Sequence, residues 1–342
     1  CSNVLSSCPA SFELSMQIQQ ITLLMLLPCL RSQVRSATSQ SKGRTTAFQP
    51  EELGLGYAAL QGGAAEYTGP LVGTPHWSCP KWHGGWAKKW FELGHMLDLD
   101  VVDGKGGTDD QRVYAQRDLV KAKVLFANYT RWIAQREDDV LAISSMFTME
   151  VLFRLVRVVK PDLSLELGFA YGGSTIAMLA AMKQHATHNA IDPFQHAWFK
   201  DTGLAGVRAF QPAIQQIRSS QLMRDASTVS FIYWNESTSL TLSEFQRHRI
   251  CLDMIFMDNG HKFDDNLMEI FHATQLLAIG GLLILHDVWM PSVTKAIDFA
   301  TRNLPFSRVN VRPTKLVSDA LLAVLIKVDH DSRNWDHYEP FR

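Results

Sequence analysis

The stretch LSLELGFAYGGSTIAMLAAM, residues 163–182, constrains the fold more than any other part of the chain. It reads as a short apolar strand, a glycine-rich turn and the first turns of an alanine-rich helix. Such a unit offers free backbone N–H groups at the helix start, which favour a negatively charged group. Glycine spacing narrows the choice. A dinucleotide turn wants G-x-G-x-x-G and a P-loop wants G-K-[ST] at its end, and neither pattern is present. What stands here is E-x-G-x-x-x-G-x-S: Glu166, Gly168, Gly172 and Ser174.

The pattern around this unit extends it into a sheet. Strands are expected at LSLELG, NAIDPF, VSFIYWN, LDMIFMD and GLLILHD, with a final pair at SRVNV and ALLAVLIKV. Helices are expected around Thr175 to His185, Val207 to Ser219, Asp264 to Leu277 and Ser292 to Arg302. Apolar strands alternating with helices imply a doubly wound, mostly parallel α/β sheet covered on both faces. Upstream, Val113 to about Val159 reads as helix with a break near 143–148, ending before Pro161.

The next strand ends in AIDPF. An acidic side chain at that position, Asp192, can accept both hydroxyls of a ribose. Together with the missing pyrophosphate fingerprint, this points to an adenosine cofactor without a pyrophosphate. S-adenosylmethionine fits, its carboxylate lying near the start of the helix that carries Ser174.

Two further strands end in carboxylates, Asp258 in LDMIFMDNGH and Asp287 in GGLLILHDVW. Ligands of open α/β sheets bind at these carboxyl ends, and unpaired carboxylates are costly to bury there. Two of them converging on one edge suit Mg²⁺. His261, three residues after Asp258, can take a proton from an acceptor hydroxyl whose pKa the metal lowers. His286 neighbours the same set, as a further ligand or as a group that orients one.

With 33 basic and 34 acidic residues, the net charge of −1 makes no electrostatic case for nucleic acid or an acidic membrane as partner. No apolar run is long enough for a membrane span. The first fifty residues read as a targeting-like or a disordered segment: ITLLMLLPCL is apolar, Arg31, Arg35, Lys42 and Arg44 follow, and residues 14–50 hold no acid. Residues 51–135 read as an N-terminal cap or extension, in which Trp82, Trp86 and Trp90 are spaced for one helix face and DGKGGTDD (103–110) is a turn. Residues 136–330 hold the α/β domain and 331–342 a tail. The five cysteines show no paired or metal-ligand spacing, so neither a disulfide nor a zinc site is expected, and an intracellular, reducing compartment follows, with organelle targeting by the first segment left open.

ELGFAYGGST, IDPF, LDMIFMDNGH and GGLLILHDV together resemble the class I S-adenosylmethionine-dependent methyltransferases over roughly residues 145–330. Within these, the chain resembles the small-molecule O-methyltransferases of the macrocin and cephalosporin-hydroxylase-like group, and more distantly catechol O-methyltransferase. The resemblance implies a Rossmann-like fold whose last two strands form an antiparallel pair at the sheet edge. It implies Glu166, Gly168, Gly172 and Ser174 at the methionine end of the cofactor, Asp192 on the ribose, and WNES, with Glu236 and Ser237, near the adenine. Asp258 and Asp287 become metal ligands and His261 the general base, acting on a hydroxyl of a small-molecule acceptor. Two positions depart from the family patterns: Val288 follows Asp287, and His286 stands where an acid is usual. Other readings are a nicotinamide oxidoreductase, a hydroxylase, and a non-catalytic nucleotide-binding protein of this fold.

Overall fold

The computed structural model describes residues 79, 87, 96–99, 109–137, 142–219, 229–334 and 336–341. The targeting-like segment, Trp82, Trp86, Trp90 and most of the expected turn at 103–110 lie outside the described residues. Asp109 and Asp110, assigned to that turn, instead open a helix.

In chain order the elements are β1 (Met96–Asp98), α1 (Asp109–Ala134), α2 (Met146–Val159), β2 (Leu163–Leu167), α3 (Gly173–Ala181), β3 (Thr187–Ile191), α4 (Thr202–Ser219) and β4 (Ser230–Trp234). There follow α5 (Thr238–Arg247), β5 (Leu252–Met257), α6 (Phe263–Leu276), β6 (Leu277–Leu285), α7 (Pro291–Asn303), β7 (Phe306–Arg308), β8 (Asn310–Arg312), α8 (Thr314–Asp319) and β9 (Ala323–Lys327). The main sheet has seven strands in the order β4-β3-β2-β5-β6-β9-β7. Strands β4 to β6 run parallel, while β9 is antiparallel to both β6 and β7. This is the Rossmann-like methyltransferase architecture that the sequence implies.

Both sheet faces are buried, and the strands alternate between them. Leu165, Leu167, Ile255, Met257, Leu283 and Leu285 join one apolar cluster with residues of α5, α6 and α7. Met254, Phe256, Leu282 and Ile284 point the other way, into a cluster shared with α1 to α4. That double burial is why the strands read as apolar runs rather than as apolar–polar alternation.

The long upstream helix divides into two. Ser145 caps α2, its hydroxyl accepting from Thr148 N at 3.1 Å. Lys160 ends it in a left-handed conformation just before Pro161. Helix α1 packs against α2, α3 and α4 through Phe126, Tyr129 and Ile133. The expected strand SRVNV also divides. Its start pairs with β9, whereas β8 forms a separate two-stranded parallel sheet with β1. Helix α5 was not expected, because only Thr241, Leu242 and Phe245 of its ten residues are buried.

One expectation is overturned. Cys79 and Cys251 form a disulfide across a sequence separation of 172 residues, with Cα atoms 5.5 Å apart. The Cys79 amide bonds Gln275 O at 3.0 Å, which brings it to the end of α6 beside the residue that leads into β5. Distance along the chain hid the pair, and the argument from cysteine spacing to a reducing compartment loses its basis. Closing so long a loop contributes about 2–5 kcal/mol. Thermal unfolding of the wild type is therefore expected to shift down under dithiothreitol, and Cys251→Ser to melt low with or without it. Equal melting of wild type and Cys251→Ser in oxidising buffer would refute the bond. Among the described residues no helix is long and apolar enough to cross a membrane.

Candidate functional site

The expected site residues follow directly on strand ends, and backbone bonds hold them there. Gly168 N donates to Ile191 O at 2.9 Å and Asp192 N to Trp234 O at 3.1 Å. Asp258 N donates to Leu167 O at 2.8 Å and His286 N to Met257 O at 3.0 Å. The ladder thus runs one residue past each strand, so the side chains of Asp192, Asp258 and His286 leave one edge in fixed register beside the Gly168 turn.

Beneath the glycine turn, Glu166 is fully buried. The Ser174 and Thr175 hydroxyls donate to its two oxygens, and His188 Nε2 lies 3.1 Å from one of them. Ser164 Oγ is 2.9 Å from His188 Nδ1. Glu166 and Ser174 therefore engage each other and brace the start of α3 from below. Gly168 and Gly172 have φ of 88° and 75°. The Tyr129 hydroxyl of α1 donates to Tyr171 O at 2.5 Å within the turn. Burial, with the charge of Glu166, raises the Tyr129 pKa far above its ordinary value and keeps that donor in place.

Asp192 closes the turn from the other side. Its Oδ2 accepts from Ala170 N at 2.8 Å and Phe169 N at 3.2 Å, and its Oδ1 from Phe194 N at 2.7 Å. The Tyr233 hydroxyl donates to Asp192 O. Past β4, Glu236 is exposed, and Ser237 stands at the head of α5 with its hydroxyl 3.3 Å from that of Ser239.

Asp258, His261 and Asp287 converge: each offers a ligand atom, and these atoms all lie within 4.8 Å of one another. His261 Nε2 is 2.9 Å from Asp287 Oδ2. His286, expected with the metal ligands, turns Nδ1 to Asp258 Oδ1 at 3.0 Å and Nε2 to Thr148 Oγ1 at 3.3 Å. Both its nitrogens are engaged. Asp287 reaches the cluster from a left-handed backbone, φ 54°. Two carboxylates and an imidazole at this spacing form a donor set that fits a divalent cation.

Charges in the cluster support each other. Burial pulls the His286 pKa down, but the charges and hydrogen bonds of Asp258 and Asp287 prevail and lift it to about 10. Burial likewise works against charge on His261, and the Asp287 bond with both carboxylate charges leaves its pKa raised. Burial would raise the Asp287 carboxyl, yet His261, His286 and the Trp289 indole hold it well below the usual carboxylate range. Behind the loop, burial pushes Glu269 up to about 7, while Asn259 donates to its Oε1.

Comparison with known families matches residues 165–288 to a profile described as a methyltransferase domain. Residues 165–288 belong to the methyltransferase-domain family. The matched span runs from β2 through Asp287 and so includes every expected site residue of this methyltransferase domain. Among solved structures, a Podospora anserina methyltransferase bound to S-adenosylhomocysteine is 14% identical, with 60% of this chain and 88% of that chain covered and a TM-score of 0.44. An O-methyltransferase from Bacillus cereus in complex with S-adenosylhomocysteine is 14% identical, covering 70% and 100%, with a TM-score of 0.44. The O-methyltransferase TomG from Streptomyces achromogenes, involved in tomaymycin synthesis and in complex with S-adenosylmethionine, is 15% identical, covering 60% and 90%, with a TM-score of 0.43. No curated protein matches the chain.

The turn and the cluster also use residues that sequence reasoning passed over. Thr148 reaches His286 from α2, Tyr129 holds the turn from α1, and Trp289 Nε1 donates to Asp287 Oδ1 at 2.9 Å. Only Trp289 carried a sequence signal, two positions after a strand-end carboxylate. His188 sits on β3 with Nε2 3.1 Å from Glu166, one residue ahead of the expected strand NAIDPF, and carried no sequence signal.

Proposed function

We propose that this protein transfers a methyl group from S-adenosylmethionine to a hydroxyl of a small-molecule acceptor, using a divalent cation held by Asp258 and Asp287. One observation carries the reading: the braced glycine turn and the Asp258–His261–Asp287 cluster share the carboxyl edge of one methyltransferase sheet. The amides at the start of α3 suit the cofactor's carboxylate, and Asp192, on the other side of the turn, is the residue assigned to the ribose. A cation bound by the two aspartates would lower the pKa of the acceptor hydroxyl. His261, half-buried at the cluster's edge, has Nε2 bonded to Asp287 and takes the hydroxyl proton on its other ring nitrogen, Nδ1, as the oxygen attacks the methyl carbon. The O–CH₃ bond forms as the S–CH₃ bond breaks, leaving neutral S-adenosylhomocysteine and a protonated His261. His286 is bonded to Asp258 and Thr148, so it serves as a positioning residue for the aspartate.

The test has two layers. Calorimetric titration of S-adenosylhomocysteine into folded protein is expected to give micromolar binding; none would withdraw the reading. Methyl transfer to a panel of hydroxylated acceptors is then followed with Mg²⁺, with Mn²⁺ and with chelator. Asp258→Asn is expected to lower turnover roughly 100-fold and His261→Ala by a factor of about 10²–10⁴, each changing S-adenosylhomocysteine affinity little. Weaker metal binding in His261→Ala would make His261 a ligand rather than the base, and full turnover in both variants would end the mechanism.

A further inference from the structure

Next to the cluster lies a cavity of about 780 Å³. One wall is the run from the end of β7 through β8. Arg308, Asn310 and Arg312 are exposed and alternate with buried Val309 and Val311. All three line the cavity, and Thr314 and Ser318 of α8 add hydroxyls. A second cavity, about 540 Å³, adjoins the first through Val288 and Arg308.

Among the described residues neither Arg308 nor Arg312 makes an ion pair or a side-chain hydrogen bond. Of the nearby acids, Asp298 lines the smaller cavity but bonds Arg302 at 2.7 Å, and Asp98 of β1 stands in register with Arg312 without pairing to it. Two guanidinium groups flanking a carboxamide over a concave surface form a donor array for an anion. Val288, Trp289 and Leu321 add apolar surface to the same cavity.

Trp289 ties this cavity to the chemistry. Its ring is half exposed in the cavity wall, and its indole N–H is bonded to Asp287 Oδ1. Val288 follows Asp287 directly and is fixed by a 3.3 Å bond from its amide to Leu321 O.

We propose that this cavity is the acceptor subsite, and that it binds a carboxylate or phosphate carried by an otherwise apolar hydroxylated acceptor. As an acceptor subsite it rests on the methyl-transfer reading above; as an anion site it stands on the cavity and the arginines alone. The subsite explains why Val288 stands beside the last strand-end carboxylate: an apolar residue there forms cavity wall.

Phenyl phosphate, benzoate and benzyl alcohol are titrated calorimetrically into the full chain, with and without saturating S-adenosylhomocysteine. The anions are expected to bind more tightly than benzyl alcohol. The double variant Arg308→Gln/Arg312→Gln is expected to weaken them about tenfold or more while leaving benzyl alcohol unchanged, and Arg308→Lys/Arg312→Lys to restore most of the loss. Tighter phenyl phosphate assigns a phosphate and tighter benzoate a carboxylate. Anions that bind no better than benzyl alcohol, or that bind the double Gln variant as well as wild type, overturn the proposal. Separate titration of S-adenosylhomocysteine into the same variants reads the cofactor site, so its failure would strike the methyl-transfer reading and leave the anion result standing.

Discussion

Gly168→Ala is expected to destabilise the fold by on the order of 3–5 kcal/mol and to abolish measurable S-adenosylhomocysteine binding. A Cβ at this position would lie 2.2 Å from Asp258 O and 2.7 Å from its carbonyl carbon. Those are backbone atoms of the loop leaving β5, so no side-chain rotation relieves the overlap. The residue also adopts φ 88°, which L side chains enter only with strain. Relief requires the ends of β2 and β5 to part, and the Asp258 N to Leu167 O bond at 2.8 Å spans that gap. One methyl group thus disturbs both halves of the site. For a domain of this size the melting midpoint should fall by about 10 °C. Gly260→Ala is the control, because its Cβ would meet only the flexible Asp265 carboxylate, at 3.3 Å. Melting of Gly168→Ala within 2 °C of that control would refute the packing argument.

The same contact shows what sequence conveys and what it withholds. The β2–turn–α3 unit is legible because it is local: an apolar run, glycines and a small-residue helix within twenty positions. The sheet order follows, since parallel strands with covering helices have few ways to connect. Strand-end carboxylates are legible for a similar reason, a charge at the end of an apolar run being hard to explain otherwise. Partners across the chain are not legible. β1 and β8 are three residues each and exist only because they pair with each other. Cys79 and Cys251 were passed over on the same ground.

Within the site, residue type was legible but orientation was not. His261 and His286 both flank aspartates in sequence, and nothing there says which imidazole joins the cluster. Both imidazoles reach the aspartates, His261 through Nε2 at Asp287 and His286 through Nδ1 at Asp258, and it is Thr148 on His286 Nε2 that sets their surroundings apart. Glu166 is the parallel case. Its place in E-x-G-x-x-x-G-x-S suggests a ligand contact, yet three polar side chains surround it in the core and its work is to brace α3. A motif records which residues occur at a turn without separating those that touch a ligand from those that shape the cradle.

Asp192 tests that separation directly. Asp192→Ala is expected to weaken S-adenosylhomocysteine binding at least about 100-fold and to cost about 3 kcal/mol of stability. Its carboxylate is almost wholly buried and accepts three backbone N–H groups, two from the glycine turn and one from its own loop. Alanine leaves all three donors unpaired. Asp192→Asn is the sharper probe. A carboxamide keeps one acceptor oxygen, and its NH₂ must face at least one of those donors. If Asp192 only contacted a ribose, Asn would preserve stability and lose affinity alone. If it also builds the turn, Asn should lose an intermediate amount of both, with affinity and melting temperature falling together across wild type, Asn and Ala. Calorimetry and thermal melts on the three proteins decide between the two, and an Asn variant with wild-type melting but lost affinity would confine Asp192 to ligand contact.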